Sequence, residues 1–229
     1  MAITVNPQTT TTGNDVFQST SFNVPRPTGI SVGDLIVIVG TLAGTETNDA
    51  TMSGFTAFNL TAGFSDKFAF WKIATSGDTS AGNWTITCDD GFIEQWAIAV
   101  WSGVDTASPF ATGPSVNISA STTYSFTSQT SPGAGSVWVG LLAIANNSVS
   151  MTQPSGPTNQ AQSTSGFYFG PGCIYSAQVD SGSYAPSGTI NSGFEWASVA
   201  FFLNPASGGG AITLVNSNFL MFMGPQPQQ

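Results

Sequence analysis

Between Phe68 and Pro109 the chain alternates in a way that leaves little choice of fold. Phe68, Phe70 and Lys72 alternate with Ala69, Trp71 and Ile73. After the turn residues Ser76-Gly77-Asp78, Trp84, Ile86 and Cys88 alternate with Thr85 and Thr87. Asp89-Asp90-Gly91 turns the chain again, and Trp96 to Trp101 is almost wholly apolar. A period of two sends successive side chains to opposite faces of a sheet, and a short run apolar on both sides marks a central strand. The stretch therefore reads as three strands of an antiparallel β-sandwich.

The same pattern extends outward. Ile3 and Val5 alternate near the start, and Leu35 to Val39 is a nearly all-apolar strand entered through the turn at Gly33-Asp34. Pro25-Arg26-Pro27-Thr28-Gly29 marks an edge or a turn, because proline donates no hydrogen bond to a ladder. Residues 43–54 read as a loop. Val116 to Phe126 supplies one or two strands, Val137 to Ala145 a second buried run, and 146–166 a long polar loop. Phe167 to Val179 and Gly193 to Leu203 supply the last strands. No segment keeps a helical period over several turns, so little helix is expected.

The two parts of the chain, about 16–110 and 116–206, echo each other. Gly33 to Val37 resembles Gly135 to Val139, Phe68 to Phe70 resembles Phe167 to Phe169, and Gln95 to Ala99 resembles Glu195 to Val199. An ancestral duplication is one reading, and the repetitive strand pattern of any sandwich is the other. Residues 1–206 are expected to form one sandwich in which the halves interleave. Asn204 to Gly210 then forms a glycine-rich hinge, followed by an extended apolar C-terminal arm within 207–229. An arm carrying Ile212, Leu214, Val215, Phe219, Leu220, Met221, Phe222 and Met223 is an aggregation hazard if bare. It must dock, either on its own sandwich or on a neighbouring subunit by strand addition.

Composition excludes several functions. The 229 residues carry 3 Lys and Arg against 12 Asp and Glu, a net charge of −9. Nucleic-acid binding depends on cations that neutralise phosphates, and Arg26, Lys67 and Lys72 cannot supply them. Adsorption to an anionic membrane fails for the same reason. No apolar run approaches the ~20 residues that span a bilayer, and the start lacks the basic and apolar regions of a signal peptide. Synthesis in a cytoplasm without a secretion signal is the expectation. Only 7% of residues are charged, well below the roughly 25% of an ordinary domain, so the surface is covered by Ser, Thr, Asn, Gln and Gly.

Catalytic chemistry is equally restricted. There is no histidine, which removes Ser-His-Asp and Cys-His machinery and any His-ligated zinc. Neither a phosphate-cradling loop nor a dinucleotide fingerprint is present, and no cofactor is expected. Asp89, Asp90, Glu94 and Asp105 form the nearest cluster for a two-carboxylate glycosidase, but Asp89-Asp90-Gly91 is more simply a turn. Asp49, Asp89, Asp90 and Asp105 offer oxygen ligands for calcium without the spacing of a calcium loop. Cys88 and Cys173 read as buried free thiols, with a disulfide left open. The six tryptophans fall in expected strands and read as core; Phe167 and Tyr168 are the candidates for stacking on sugars.

Several of these segments together resemble a known pattern. Val24-Pro25 with Gly29 and Val32-Gly33-Asp34-Leu35, Phe70-Trp71-Lys72-Ile73-Ala74, Trp84 to Thr87, and Trp101-Ser102-Gly103-Val104-Asp105 with Pro109 resemble the β-sandwich structural proteins of tailed bacteriophage virions. The match departs from the pattern at Trp71, which lacks the usual following Tyr, and at Trp101, which stands in place of Tyr. It covers about residues 20–110, with 116–205 as echoes. The resemblance implies an all-β, jelly-roll-like fold and a non-enzymatic virion component. It further implies a capsid decoration (cement) protein, a homo-oligomer and by analogy a trimer, bound to the major capsid protein or other virion proteins. A tail or fibre module that binds receptor glycans through loops 43–54 and 146–166 is the alternative.

Overall fold

The protein is represented by a computed structural model, which describes residues 3–10, 21–43, 50–58, 60, 67–88, 92–145, 150–163 and 171–206. It is all-β. The first half supplies β1 (Thr4–Thr10), β2 (Ser21–Pro25), β3 (Leu35–Ala43), β4 (Thr51–Met52), β5 (Thr56–Ala57), β6 (Lys67–Ile73), β7 (Asn83–Thr87) and β8 (Phe92–Ser102). The second supplies β9 (Ser115–Ala120), β10 (Thr123–Ser125), β11 (Gln129–Thr130), β12 (Val137–Ala145), β13 (Thr158–Gln162), β14 (Gly172–Gln178), β15 (Ser183–Tyr184), β16 (Ser187–Thr189) and β17 (Glu195–Leu203).

Each half builds its own sheets. The first forms a five-stranded sheet, β1-β8-β3-β6-β5, and a three-stranded sheet, β2-β7-β4. The second forms β13-β14-β12-β17-β9, with the small pairs β10-β16 and β11-β15. Read from the other end, the second large sheet is β9-β17-β12-β14-β13, the order of the first sheet strand for strand. The register repeats too. Leu35 pairs with Trp101 and Val137 with Leu203, both members displaced by 102 positions (137 − 35; 203 − 101). Ser21 pairs with Thr87 and Thr123 with Thr189, again displaced by 102 (123 − 21; 189 − 87). Even a cross-strand hydroxyl pair is reproduced, Thr51 with Thr87 at 2.6 Å and Thr152 with Thr189 at 2.9 Å.

The register corrects two sequence echoes. The counterpart of β6 is β14, not Phe167 to Phe169, which lie outside the described residues. Trp96 pairs with Gly40 whereas Trp196 pairs with Ile144, so these two tryptophans are offset by two residues within otherwise equivalent strands. The halves also do not interleave: every described sheet draws its strands from one half.

Instead the two large sheets pack face to face, giving four layers. β1 lies against β13, β8 against β14, and β3 against β12. The central core joins Leu35, Val37, Val39, Ala97, Ala99 and Trp101 to Val137, Val139, Ile174, Val199, Phe201 and Leu203. On the outer face of the first large sheet, Ile36, Ile38, Phe70, Trp96 and Ile98 meet Val24, Trp84 and Ile86 of the small sheet. On the outer face of the second, Trp138, Leu142, Tyr175 and Phe202 meet Tyr124, Phe126 and Ile190. A two-layer sandwich leaves one face of each sheet in water. Here β3, β8, β12 and β17 are covered on both, which is why they read as unbroken apolar runs.

Edges follow the chemistry of their residues. Pro7 falls in β1 and Pro25 closes β2, both strands at sheet margins among the described residues, where a missing N–H costs no ladder bond. The polar stretch 146–166 contains a strand, β13, that the sequence reading missed. Its residues Thr-Asn-Gln-Ala-Gln bury only Ala161 fully, so no apolar alternation announces it.

Candidate functional site

The carboxylates with described side chains are engaged in holding the fold together. Asp34 accepts the Ser31 N–H at 2.8 Å, Asp105 accepts those of Ala107 and Ser108 at 2.8 and 3.0 Å, and Asp180 accepts that of Gly135 at 2.7 Å. Asp34 and Asp105 each close a turn, the role short acidic side chains fill by bonding nearby backbone, whereas Asp180, just after β14, ties down the distant turn at Gly135. Asp49, Asp89 and Asp90 lie outside the described residues, and Glu94 is described in its backbone alone. Among the described residues no three His, Cys, Asp or Glu side chains gather to hold a metal.

Asp78 is the most heavily bonded of them. It closes the short 3-10 turn Ser76–Asp78 between β6 and β7. Its oxygens accept from the Thr75 N–H (2.9 Å), the Thr75 hydroxyl (2.8 Å), the Lys72 ammonium (3.0 Å) and the Trp84 indole N–H (2.9 Å). Burial opposes its ionisation, but the Thr75 N–H, Lys72, Trp84 and the Thr75 hydroxyl outweigh burial and hold the carboxyl far below the ordinary 3.8. Arg26 completes the corner. Its guanidinium lies over the Trp84 ring at 5.7 Å and donates to the Gly77 carbonyl. Because the folded value is depressed, this carboxylate contributes stability above pH 3.8 that is lost as pH falls below it towards the folded value. Asp78→Asn is expected to destabilise the fold by about 2 kcal/mol at neutral pH. The gap to wild type should shrink in urea titrations run below pH 3.8; a gap that does not change with pH would remove the charge from the account.

The thiols lie in the core. Cys88 and Cys173 are both buried and are not joined in a disulfide. Cys173 sits beneath β10, with its sulfur 4.0 Å from Met151 Sδ, and burial pushes its thiol up to about 12. Beside it the Tyr124 hydroxyl donates to the Thr152 carbonyl at 2.7 Å, and burial likewise raises that phenol to about 12. Five of the six tryptophans are buried, as their strand positions imply; Trp71 is half-buried. Phe167 and Tyr168 lie outside the described residues.

Among the described residues one ion pair links the halves directly. Lys67 opens β6, and its buried ammonium reaches Glu195 at the start of β17 at 3.9 Å. Lys67, Thr41 and Gln95 lie side by side across the first large sheet. Together they form a buried polar row at the end of the central core where β3 finishes and β6, β8 and β14 begin.

A partly exposed apolar surface lies along one margin of that core. At the β1/β13 margin the large sheets converge. Ala97 and Ala99 of β8 share the central core with Ala161 of β13, and a Cβ added to Gly172 of β14 would come within 2.7 Å of the Val39 carbonyl oxygen of β3. No comparable approach brings β5 onto β9 at the other margin. There the sheets are held apart by rings. Phe58 stacks on Phe201 at 5.4 Å, and Phe110 meets Phe201 at 4.8 Å and Trp71 at 4.9 Å. Trp71, Ile73, Phe110 and Ile118, all partly exposed, border this open side. Val116 of β9, 37% exposed, lies beside them, and it and Val32 are the exposed large apolar residues among those described.

The described chain ends at the same place. After β17, Asn204 donates its backbone N–H to the Pro109 carbonyl and its side-chain amide to the Ser108 carbonyl, and the Ala206 N–H donates to Gly103. Leu203 bridges Phe110. The arm residues Ile212, Leu214, Val215, Phe219, Leu220, Met221, Phe222 and Met223 lie beyond the described residues. Compared with protein-family models, curated proteins and solved structures, the chain matches none.

Proposed function

We propose that this chain is a non-enzymatic structural protein of a tailed-phage virion: a head decoration protein that binds the outer capsid surface and strengthens it. The major capsid protein is its partner, and a homo-oligomer, a trimer by analogy with the proteins it resembles, is its working form. The sequence resemblance supports this reading, and so does the winding of each half. The orders 1-8-3-6 and 2-7-4 join the first strand to the last as a jelly roll does, and two such halves share one core.

The observation that carries the proposal is where the polar chemistry goes. All five carboxylates with described side chains, Asp34, Asp78, Asp105, Asp180 and Glu195, are bound within the fold. What faces outward on the small sheets is hydroxyl and amide, as at Ser21, Asn23, Thr51, Thr85 and Thr87. A rigid, weakly charged block with an apolar arm suits adhesion to a protein shell and offers little to a substrate.

Purified protein added to undecorated heads of the phage that encodes it is expected to co-sediment to a fixed saturating stoichiometry and to raise the temperature at which the heads release DNA. Deleting residues 208–229 should abolish that binding while the far-ultraviolet spectrum of the sandwich persists. Labelled protein found on tails or fibres, or binding to bacterial surface glycans instead of heads, would overturn the reading.

A further inference from the structure

We propose that the open margin of the central core, between β9 and β5–β6, is the seat for the C-terminal segment of a second copy of this chain. This deepens the reading of the arm as the partner-binding element and rests on it. The margin supplies Val116 and Ile118 from one half and Trp71 and Ile73 from the other, with Phe110 between them. Neither β9 nor the 23 residues from 207 to 229 carry a charged side chain, so no ionic side chain of theirs must be desolvated when they meet. β9 has a ladder partner, β17, on one side among the described residues, which leaves its outer edge as a template for strand addition.

Chain direction selects the second copy. Ser115 pairs with Ala200 and Ala120 with Glu195, so β9 starts at the end of the molecule where β17 finishes. A chain leaving Ala206 that turned back onto its own β9 would run parallel to it. Every named strand pair in the structure is antiparallel, and parallel pairing is slightly weaker per residue. A segment arriving from another copy can enter from the opposite end and pair antiparallel. Residues 211–215, Ala-Ile-Thr-Leu-Val, alternate as such a strand requires, with Ile212 and Leu214 on one face.

Cross-linking in the full chain tests this. Copies carrying Val116→Cys, mixed with copies carrying Ile212→Cys or Leu214→Cys under mild oxidation, are expected to give a covalent dimer of unlike chains. Val116→Glu and Val116→Ser, each checked for an unchanged melting temperature, should weaken self-association at least tenfold in sedimentation velocity. A cross-link within one chain of the Val116→Cys/Leu214→Cys double variant at high dilution would assign the seat to the chain's own arm and overturn the proposal. So would the absence of any cross-link to position 116, or association unmoved by Val116→Glu. Head binding separates the two readings. Val116→Glu that still self-associates and is still taken up by heads sinks the seat and spares decoration, whereas a groove-dependent oligomer that ignores heads does the reverse.

Discussion

Phe201→Ala is expected to lower the stability of the whole molecule by about 3–5 kcal/mol, the cost of emptying a large aromatic site in a packed core. Phe201 is fully buried. It stacks on Phe58 at 5.4 Å and meets Phe110 edge-on at 4.8 Å. Those contacts bring together β17, the segment after β5, and the connector between the halves, so the cavity would open where the two large sheets are held apart. Phe58 and Phe110 also meet each other at 5.8 Å, and Phe110 is held by Trp71 and by its bridge to Leu203, so collapse into the cavity is restricted, which places the cost towards the upper part of the range. For a chain of this length the melting temperature should fall by roughly 10 °C. Val32→Ala, at a position 67% exposed, is the matched control and should stay within about 0.5 kcal/mol. If Phe201→Ala moves the transition no further than that control, the shared core does not join the halves. Tryptophan fluorescence and far-ultraviolet dichroism should follow one transition in both proteins, because the central core belongs to both halves.

Strand positions were legible because burial imposes a period on residues such as Trp84, Ile86 and Cys88, whose inward positions recur at every second residue as alternation demands. What the sequence concealed was the layering. Apolar runs such as Val137–Ala145 state that both faces are covered, yet one sandwich cannot cover both, and only the facing of two sheets resolves this. That fact lives in contacts such as β3 with β12, separated by about a hundred residues, for which no local pattern exists. β13 was invisible for the opposite reason: its ladder bonds come from backbone, while Thr158, Asn159 and Gln162 bury too little to alternate. Among the candidate site residues, Asp105 was legible as a carboxylate but not as a turn cap, since its two N–H partners are fixed by backbone geometry. The open margin at Val116 and Ile118 could not have been read at all. These residues look like any half-buried strand pair until the opposing sheet is known to splay away from them.

Gly172→Val is expected to be at least as damaging as an ordinary overpacked core substitution, about 3 kcal/mol or more, for a reason unrelated to backbone freedom. Gly172 opens β14 at the converging margin, opposite β3. A Cβ there would stand 2.7 Å from the Val39 carbonyl oxygen, 3.2 Å from its carbon and 3.3 Å from Gly40 Cα. All three are main-chain atoms of a strand paired on both sides, by β6 and β8, so no side chain can rotate out of the way. The residue is pinned from its own sheet as well: its N–H donates to the Ser163 hydroxyl at 2.8 Å, and its carbonyl accepts the Ser163 N–H at 3.0 Å. Relief requires the two large sheets to part, which would loosen the alanine contacts around Ala97 and Ala161 that depend on close approach. A graded series follows: Gly172→Ala should cost about 1–3 kcal/mol and Gly172→Val more, measured as urea midpoints at constant slope. Gly113→Ala is the control, since an added Cβ there meets nothing within 4 Å, and it should be neutral or slightly stabilising. Equal midpoints for Gly172→Ala and Gly113→Ala would mean that the sheets do not converge at this margin, and the contrast between a closed side and an open one would fall with it.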